Sequence, residues 1–393
     1  MKYDFETLVN RKHQGSEKWE FMYALKKDVP SDIVPLSVAD MEFKNPPEII
    51  EGLKSYLDEV ILGYTMPTDD FYNSVISWMK RRHNFEVKKE WIVNTSGVVP
   101  AIFNGIRKFS NEGDGVIIMS PVYYPFYDAI RLQNRKIVDC PLIEKDGYYT
   151  INYELFDKLS SDKNNKILLF CSPHNPVGRV WKREELNKLK DTIIKNDLIL
   201  LSDEIHFDII MPGYEHTVFQ TIDEELSNRT ITFTSQSKTF NLAGMGLSNI
   251  IIKNDELRKI FKKGLEEISH SVFTTLGYKA CEIGYNKSEE WLEEFLKVID
   301  RNQKYVNEYF KTHHKDIKAN LIEGTYLQWI DFRNLGLDKN ELEKFMIKNN
   351  LFLDEGYIFG DKGIGFERIN LAVPFDVLKS ALERLSEGLK KLK

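Results

Sequence analysis

The chain has 393 residues, 42% hydrophobic and 29% charged, which is enough for one large core or for two domains. Its net charge is −6 and its Lys and Arg residues are scattered, which argues against nucleic acid and anionic membranes as partners. We expect no signal peptide in residues 1–21 and no membrane span, because no apolar run approaches the roughly 20 residues needed. Cys140, Cys171 and Cys281 are too far apart to form a metal-binding pair, so we expect reduced thiols, a cytoplasmic location and no metal site.

Short apolar runs alternate with amphipathic helical patterns through much of the chain. Five of these runs predict buried strands, at residues 114–120, 165–172, 197–203, 229–235 and 247–253. A helical pattern such as that of residues 182–196 lies between two of them. Strands that are apolar on both faces and alternate with helices predict an α/β domain with a largely parallel sheet.

The pattern changes after about residue 285. A long helix, a strand and a shorter helix are predicted there, at residues 288–314, 324–332 and 339–350. A glycine-rich loop follows them. We therefore predict a large α/β domain over residues 45–285 and a smaller α+β domain made of residues 1–44 and 286–393.

Polar residues follow three of the predicted strands, at the sheet edge where ligands bind in open α/β folds. These residues are Asn175 after the second run, Asp203, Glu204 and His206 after the third, and Ser235, Ser237 and Lys238 after the fourth. Upstream, Ser96, Gly97 and Val98 precede an apolar helical stretch. Free backbone N–H groups at such a helix start can bind a phosphate group.

Each of these residues, taken singly, also has a purely structural explanation. Asp203 is placed to cap the following helix, and Asn175 between prolines is a typical turn former. His206 can be a buried core histidine, and Lys238 can extend from a strand end to solvent. The order of the motifs along the chain, rather than any one of them, therefore carries the functional interpretation.

That order resembles the fold-type-I enzymes that depend on pyridoxal 5'-phosphate (PLP), in the aminotransferase class I/II superfamily, over nearly the whole chain. The shared motifs are Ser-Gly at 96–97, Pro-x-Tyr at 121–123, Asn-Pro-Val-Gly at 175–178, Ser-Asp-Glu at 202–204 and Ser-x-Ser-Lys at 235–238. The segments VADMEF, SDEIH, SKTFNLAG and GYIFGDKGIGFERINLAVP resemble more narrowly the cystathionine β-lyase, or C–S lyase, branch. The resemblance implies the PLP-dependent transferase fold and PLP as the cofactor.

The resemblance also implies roles for the reacting groups. Lys238 matches the lysine that bonds covalently to the cofactor and then serves as the base for the substrate Cα proton. Asp203 matches the carboxylate that pairs with the pyridine nitrogen, which makes the cofactor an electron sink. Tyr123 matches the residue stacked on the ring, with Tyr124 next if the register differs. Arg368 matches the arginine whose planar fork binds the substrate carboxylate.

Other residues match contacts to the cofactor. Asn175 matches the partner of the ring 3-oxygen and also a substrate contact, and His206 stands where many relatives have a tyrosine facing that oxygen. The expected phosphate contacts are Ser96, Gly97, Val98, Ser235, Ser237 and, from a neighbouring subunit, Tyr64. Tyr64 is expected to contact the substrate as well, so the resemblance implies a homodimer with a shared active site.

Gly246 stands where many aminotransferases have an arginine that pairs with the phosphate, and the C–S lyase branch resembles this sequence in lacking it. We therefore expect a β-lyase that cleaves cystathionine or related cysteine S-conjugates to a thiol, pyruvate and ammonia. Because the matched lysine, aspartate and arginine serve both reactions, an aminotransferase for an aromatic or neutral amino acid is the alternative. A PLP-binding regulatory protein acting through protein contacts is a third interpretation. The roles of Asp40 and Glu204 stay open.

Overall fold

A seven-stranded sheet lies at the centre of the fold in the computed structural model, which describes residues 1–392. The strands are β1 (Ile92–Thr95), β2 (Gly115–Ile118), β3 (Lys136–Asp139), β4 (Ile143–Lys145), β5 (Tyr148–Thr150), β6 (Asn165–Cys171), β7 (Ile199–Asp203), β8 (Thr230–Thr234), β9 (Ser248–Ile251), β10 (Lys318–Ala319), β11 (Leu327–Asp331), β12 (Asp354–Glu355) and β13 (Phe366–Asn370). The α-helices are α1 (Glu17–Leu25), α2 (Pro47–Leu57), α3 (Asp69–His83), α4 (Val98–Phe109), α5 (Pro125–Arg131), α6 (Tyr153–Ser160), α7 (Arg183–Lys195), α8 (Glu224–Ser227), α9 (Gln236–Thr239), α10 (Asp255–Glu267), α11 (Thr275–Lys287), α12 (Glu289–His313), α13 (Lys339–Lys348) and α14 (Phe375–Leu392).

The order of strands in the large sheet is β1-β9-β8-β7-β6-β2-β3. β8, β7, β6, β2 and β3 pair in parallel, whereas β9 is antiparallel to both of its neighbours. β1 therefore runs in the same direction as β8. The carboxyl ends of β1, β6, β7 and β8 meet at one edge of the sheet, where α/β folds bind ligands.

Both faces of this sheet are covered by helices. Alternate residues of β6 point to opposite faces, so Ile167 and Leu169 enter one apolar core and Leu168 and Phe170 enter another. The first core is closed by α4, α5 and α10, and the second by α6 and α7. Burial on both faces explains why the strands read as continuous apolar runs in the sequence. The predicted α/β class, with its largely parallel sheet, is confirmed.

A smaller antiparallel sheet, of order β10-β11-β13-β12, lies in the C-terminal part of the chain. The predicted long helix is α12, and its apolar stripe packs in a third core with residues of β11 and α14. The N-terminal segment reaches the same core, because the Phe5 ring lies 5.2 Å from those of both Phe43 and Trp291. The N-terminal residues thus pack on α12, and the predicted division into two domains stays a prediction.

No helix within residues 1–392 combines the length and the apolar character needed to cross a bilayer.

Candidate active site

A cavity of about 210 Å³ lies at the edge of the large sheet where β6 and β7 end. It brings together residues that are far apart in sequence. The predicted site residues that line it are Gly97, Val98, Tyr123, Asn175, Asp203, His206, Ser237, Lys238 and Arg368. A larger cavity of about 840 Å³ lies beside the N-terminal segment but contains none of the predicted site residues. The convergence of reactive groups therefore identifies the smaller cavity as the candidate active site.

Lys238 lies in α9, one turn beyond the strand end at which the sequence predicted it. Its Nζ donates a hydrogen bond to the carbonyl oxygen of Ala39 at 2.8 Å. Burial lowers the pKa of the Lys238 amine to about 8, and the Arg368 charge also lowers it, although the carboxylates of Asp40 and Asp203 act in the opposite direction. A lysine whose pKa is lowered in this way has a substantial neutral fraction near pH 8, as imine formation and proton abstraction require.

Asp203 is the last residue of β7, and its side chain is buried. In the described part of the chain, residues 1–392, the carboxylate accepts one hydrogen bond, from the backbone N–H of Ile205 at 3.2 Å. Burial raises the pKa of Asp203 to about 7, with a contribution of the same sign from Glu204 and an opposing one from Lys238. A buried carboxylate with so few donors is stabilised by a cationic partner in the cavity, so Asp203 fits a protonated pyridine nitrogen.

Arg368 lies on β13 and is held in one orientation by two neighbours. Its Nε and Nη2 donate to the same oxygen, Oδ2 of Asp354, at 3.1 and 2.6 Å, and its Nη1 donates to Oδ1 of Asn175 at 2.8 Å. Arg368 and Asp354 are directly opposite each other across β13 and β12. Sequence reasoning missed Asp354, because only the strand pairing shows that this acid faces the arginine. The result is a buried, oriented guanidinium on the wall of the cavity.

Two further polar groups line the same wall. His206 is buried, and its Nδ1 has no hydrogen-bond partner within residues 1–392. Burial lowers the pKa of His206 well below its usual value, so the ring is neutral near pH 7. Cys171, which sequence reasoning also missed, pairs with Asp203 across β6 and β7. Burial raises the pKa of its thiol, so this side chain is an uncharged part of the wall rather than a nucleophile.

Tyr123 and Tyr124 both line the cavity, with ring centroids 5.4 Å apart. Tyr123 is the more enclosed of the two and packs against the core under α4. Tyr124 is 39% exposed. Burial raises the pKa of Tyr123 above its usual value, so its phenol stays protonated. The enclosed ring of Tyr123 is thus better placed than that of Tyr124 to cover one face of a flat ligand.

The N-terminus of α4 forms another part of the cavity, through Gly97 and Val98. The first backbone N–H groups of a helix have no intrahelical partners, so this end suits a phosphate group. Gly246 lies beside the start of α4. A side chain at this position would begin 3.8 Å from the carbonyl oxygen of Ser96. Its φ of +57° is one that glycine adopts readily. His270 was not predicted, yet its Nε2 accepts the Ser96 N–H at 3.2 Å.

Three predicted site residues do not line the cavity. Ser235 is fully buried, donates its hydroxyl to the Leu247 carbonyl at 2.9 Å and accepts the Ser237 N–H as the cap of α9. Ser96 is exposed, and Tyr64 is 92% exposed with its ring 5.2 Å from that of Phe273. Tyr64 therefore does not reach the cavity of its own chain, and its expected contact in a neighbouring subunit stays a prediction.

Glu204 and Asp40, whose roles the sequence left open, are both held by hydrogen bonds or ion pairs. Glu204 is buried and accepts hydrogen bonds from the Ser202 hydroxyl at 2.7 Å and the Phe219 N–H at 3.1 Å, and it lies 2.7 Å from Nε2 of His216. These contacts make it part of the structural support behind Asp203. Asp40 pairs with Arg11 of the N-terminal segment, at 2.7 Å.

The fold and the site together define a PLP-dependent enzyme of fold type I. An amine with a lowered pKa, a buried carboxylate that forms no ion pair within residues 1–392 and a helix N-terminus face one cavity at the carboxyl edge of the sheet. These three features match the aldehyde, the ring nitrogen and the phosphate of that cofactor. Within residues 1–392, no group of three or more His, Cys, Asp or Glu side chains is placed to hold a metal ion.

Residues 31–385 match the family described as aminotransferase class I and II, and the chain belongs to that family. The cystathionine beta-lyase PatB of Bacillus subtilis (strain 168) is 35% identical over 360 residues, covering 91% of this chain and 93% of PatB. The crystal structure of cystalysin from Treponema denticola, which contains pyridoxal 5'-phosphate, is 62% identical with a TM-score of 0.99 over 100% of both chains. The PLP-bound C–S lyase of Staphylococcus hominis is 31% identical with a TM-score of 0.92, covering 99% of this chain and 98% of that one.

These relationships confirm the predicted family, the cofactor and the enzyme class. The chain is a PLP-dependent enzyme of the carbon–sulfur lyase type. The substrate and the roles of individual residues stay predictions.

Proposed function

We propose that this enzyme is a β-lyase that cleaves cystathionine or a related cysteine S-conjugate to a thiol, pyruvate and ammonia. The observation that carries the amino-acid part of the proposal is the pairing, in one cavity, of the Lys238 amine with the oriented fork of Arg368. Such a pair suits an α-amino acid, whose carboxylate binds the arginine while its Cα proton faces the lysine. The likeness to PatB and to the S. hominis lyase supports cleavage of a carbon–sulfur bond.

The residues present fit the cofactor. Asp203 would hold the proton on the ring nitrogen, Tyr123 would cover one face of the ring, and Asn175 and His206 would lie beside its 3-oxygen. The N–H groups at the start of α4 and the hydroxyl of Ser237 would bind the phosphate. When bound, PLP supplies an electron sink for negative charge that develops at the substrate Cα.

The reaction then depends on two side chains of this chain, Arg368 and Lys238. Arg368 binds the α-carboxylate and thereby orients the substrate. The Lys238 amine, with its pKa lowered to about 8, removes the Cα proton. The electron pair left at Cα forms the Cα–Cβ double bond as the Cβ–S bond breaks, and the sulfur leaves as a thiolate. The unsaturated amine so formed reacts with water to give pyruvate and ammonia.

We also propose that two copies of the chain form a dimer in which Tyr64 enters the neighbouring cavity. Tyr64 is accompanied by other exposed apolar side chains, namely Ile61, Leu62, Met66 and Phe273. Such a cluster on the surface of a protein marks an interaction site. A dimer would cover it and would bring the tyrosine hydroxyl to the phosphate end of the partner's site.

A cytoplasmic location completes the proposal. Cys140, Cys171 and Cys281 are all buried and unpaired, which suits a compartment that keeps thiols reduced.

The proposed reaction is tested with purified, PLP-loaded enzyme and a panel of cystathionine, cystine, cysteine and aromatic amino acids. Thiol, pyruvate, ammonia and keto acids are measured with and without 2-oxoglutarate. We expect pyruvate and ammonia in equal amounts from a thioether or thiol substrate without any acceptor. Keto-acid formation only in the presence of 2-oxoglutarate would instead identify an aminotransferase.

A further inference from the structure

Residues 38–41, here called the strap, pass directly beside the Lys238 amine. Val38 and Ala39 line the active-site cavity. The carbonyl oxygen of Ala39 accepts two hydrogen bonds, from Lys238 Nζ at 2.8 Å and from the Tyr326 hydroxyl at 2.9 Å. Within residues 1–392, this carbonyl is the one hydrogen-bond partner of the lysine amine. A single backbone oxygen therefore determines where the amine rests when it bonds to neither cofactor nor substrate.

The backbone of the strap needs support to keep this shape. Val38 has a φ of +57°, which is unfavourable for a β-branched residue and persists only where the surroundings hold it. Its N–H donates to Oδ2 of Asp354 at 3.0 Å, so the strap shares an acceptor with Arg368. On the other side, Nδ2 of Asn370 donates to the carbonyls of Val38 and Asp40 at 2.7 and 2.8 Å. The carbonyls on both sides of Ala39 are thus bound to the small sheet.

The N-terminal segment holds the strap from its outer side. Arg11 contacts the Asp40 carboxylate through Nη2 at 2.7 Å, and its Nη1 donates to the Met41 carbonyl at 3.1 Å. Lys18, which is fully buried, donates to the Asp40 carbonyl at 2.7 Å and pairs with Glu42 at 2.8 Å. Arg11 and Asp40 are each about a quarter exposed, at 23% and 25%. Their pair is therefore shielded from solvent more than an ordinary surface ion pair.

We propose that Arg11 and Asp40 are positioning residues, which hold the Ala39 carbonyl where it orients the free amine of Lys238 toward the substrate. The inference rests on the proposed function only in taking Lys238 as the amine that reacts. A neutral amine that donates one N–H to Ala39 keeps its lone pair free for the Cα proton. If the strap moved, the amine would lose its acceptor and its direction, although it would stay in the cavity.

The charge of Asp40 also reaches the amine. Among the charged neighbours of Lys238, Asp40 has the largest influence on its pKa and raises it, against burial and Arg368. The other titratable groups near this amine are Asp203, Glu17, His206 and Tyr326. Replacing Asp40 by asparagine keeps the size of the side chain and removes its charge. The protonated form of the lysine nitrogen is then less stable, so its pKa falls.

The test uses the PLP-loaded enzyme with Asp40→Asn, Arg11→Met and Arg11→Lys. We expect kcat to fall about tenfold to a hundredfold in the first two variants with little change in KM, because a misplacement of about 1 Å at a reacting group costs on the order of a hundredfold. Arg11→Lys keeps the ion pair and should recover part of the loss. The second measurement is the pH titration of the cofactor absorbance, which reports the proton on the Lys238 nitrogen. Its midpoint should move to lower pH in Asp40→Asn.

Glu6→Gln is the matched control. Glu6 pairs with Arg301 at 2.6 Å and ties the same N-terminal segment to α12 without touching the strap. We expect its kcat and its titration midpoint to equal those of the unmodified enzyme. An equal loss of kcat in Glu6→Gln, or wild-type kcat and midpoint in Asp40→Asn, would overturn the inference. Failure of the proposed function is a separate result, in which the unmodified enzyme releases no pyruvate while the midpoint of Asp40→Asn still shifts.

Discussion

Arg368 and Asp354 lie opposite each other on β13 and β12. One oxygen of the Asp354 carboxylate accepts hydrogen bonds from both Nε and Nη2 of the Arg368 guanidinium. The same oxygen accepts the N–H of Val38 at 3.0 Å. A single acid thus orients the arginine expected to bind the substrate and also supports the segment that contacts Lys238. The remaining guanidinium nitrogen, Nη1, donates a hydrogen bond to Oδ1 of Asn175 at 2.8 Å. In the proposed mechanism, Asp354 therefore links substrate binding by Arg368 to proton transfer by Lys238.

Asp354→Asn should weaken substrate binding more than cofactor binding. The change replaces a charged acceptor of two Arg368 hydrogen bonds, and such bonds contribute about 1.5–3 kcal/mol each. We expect KM to rise at least about tenfold while the cofactor absorbance is retained. Asp331→Asn is the control, because Asp331, the last residue of β11, pairs with Arg333 at 2.7 Å outside the cavity. An unchanged KM in Asp354→Asn would contradict the assigned role.

Lys238→Ala should abolish turnover, because it removes both the covalent link to the cofactor and the base. General-base catalysis alone contributes about 10²–10⁴-fold, so we expect kcat to fall at least that far. The absorbance band of the cofactor bonded to the enzyme should disappear as well. Lys253→Ala removes a lysine that pairs with Glu224 on the surface and should leave both measurements unchanged. Persistent lyase turnover in Lys238→Ala would exclude Lys238 as the reacting amine.

The raised pKa of the buried Asp203 carboxyl should make the stability of the cofactor-free protein depend on pH. Its pKa of about 7 in the folded state exceeds the value near 3.9 of an unfolded chain, so ionisation favours unfolding. The destabilisation is absent below about pH 4, grows as the pH rises, and is complete above pH 7, on the order of 4 kcal/mol. Asp203→Asn should therefore raise the Tm of the cofactor-free protein at pH 8 and change it little at pH 4.

The holoenzyme should respond to this substitution in the opposite sense. Asparagine cannot hold a proton on the ring nitrogen as a carboxylate does, so both cofactor affinity and kcat should fall. Thermal unfolding at several pH values and a cofactor titration measure the two effects. A Tm that rises equally at pH 4 and pH 8 would show that the charge of Asp203 is not the cause.

A mixing experiment tests the shared site. Lys238→Ala and Tyr64→Ala should each be nearly inactive alone. If Tyr64 acts in the partner's cavity, a mixed dimer contains one site with both residues intact. After unfolding and refolding of an equal mixture, we expect roughly a quarter of the wild-type activity, because about half of the dimers are mixed and each has one complete site. Activity no greater than that of the separate variants would place Tyr64 outside the partner's site.

The sequence predicted which residues line the cavity best where those residues lie at or just after the end of an apolar strand. Lys238, Asp203 and Asn175 each follow an apolar strand closely, and parallel strands must end at the same edge, so their convergence was predictable. Ser235 departs from this pattern, because it does not line the cavity and its predicted phosphate contact stays a prediction. Its hydroxyl caps α9 and bonds to Leu247, because Ser235 lies in the turn between β8 and α9, and that local geometry is invisible in a motif.

The sequence by itself predicted the α/β class, and its resemblance to a known family implied the cofactor and the residues expected to bear the reacting groups. The physical reason is that apolar periodicity and the chemistry of one strand end are local properties of the chain. Only the tertiary structure decided that the Ala39 carbonyl accepts a hydrogen bond from the Lys238 amine and that Asp354 orients Arg368. These contacts depend on strand pairing and on the path of the N-terminal segment, which bring together residues up to 199 positions apart in the chain.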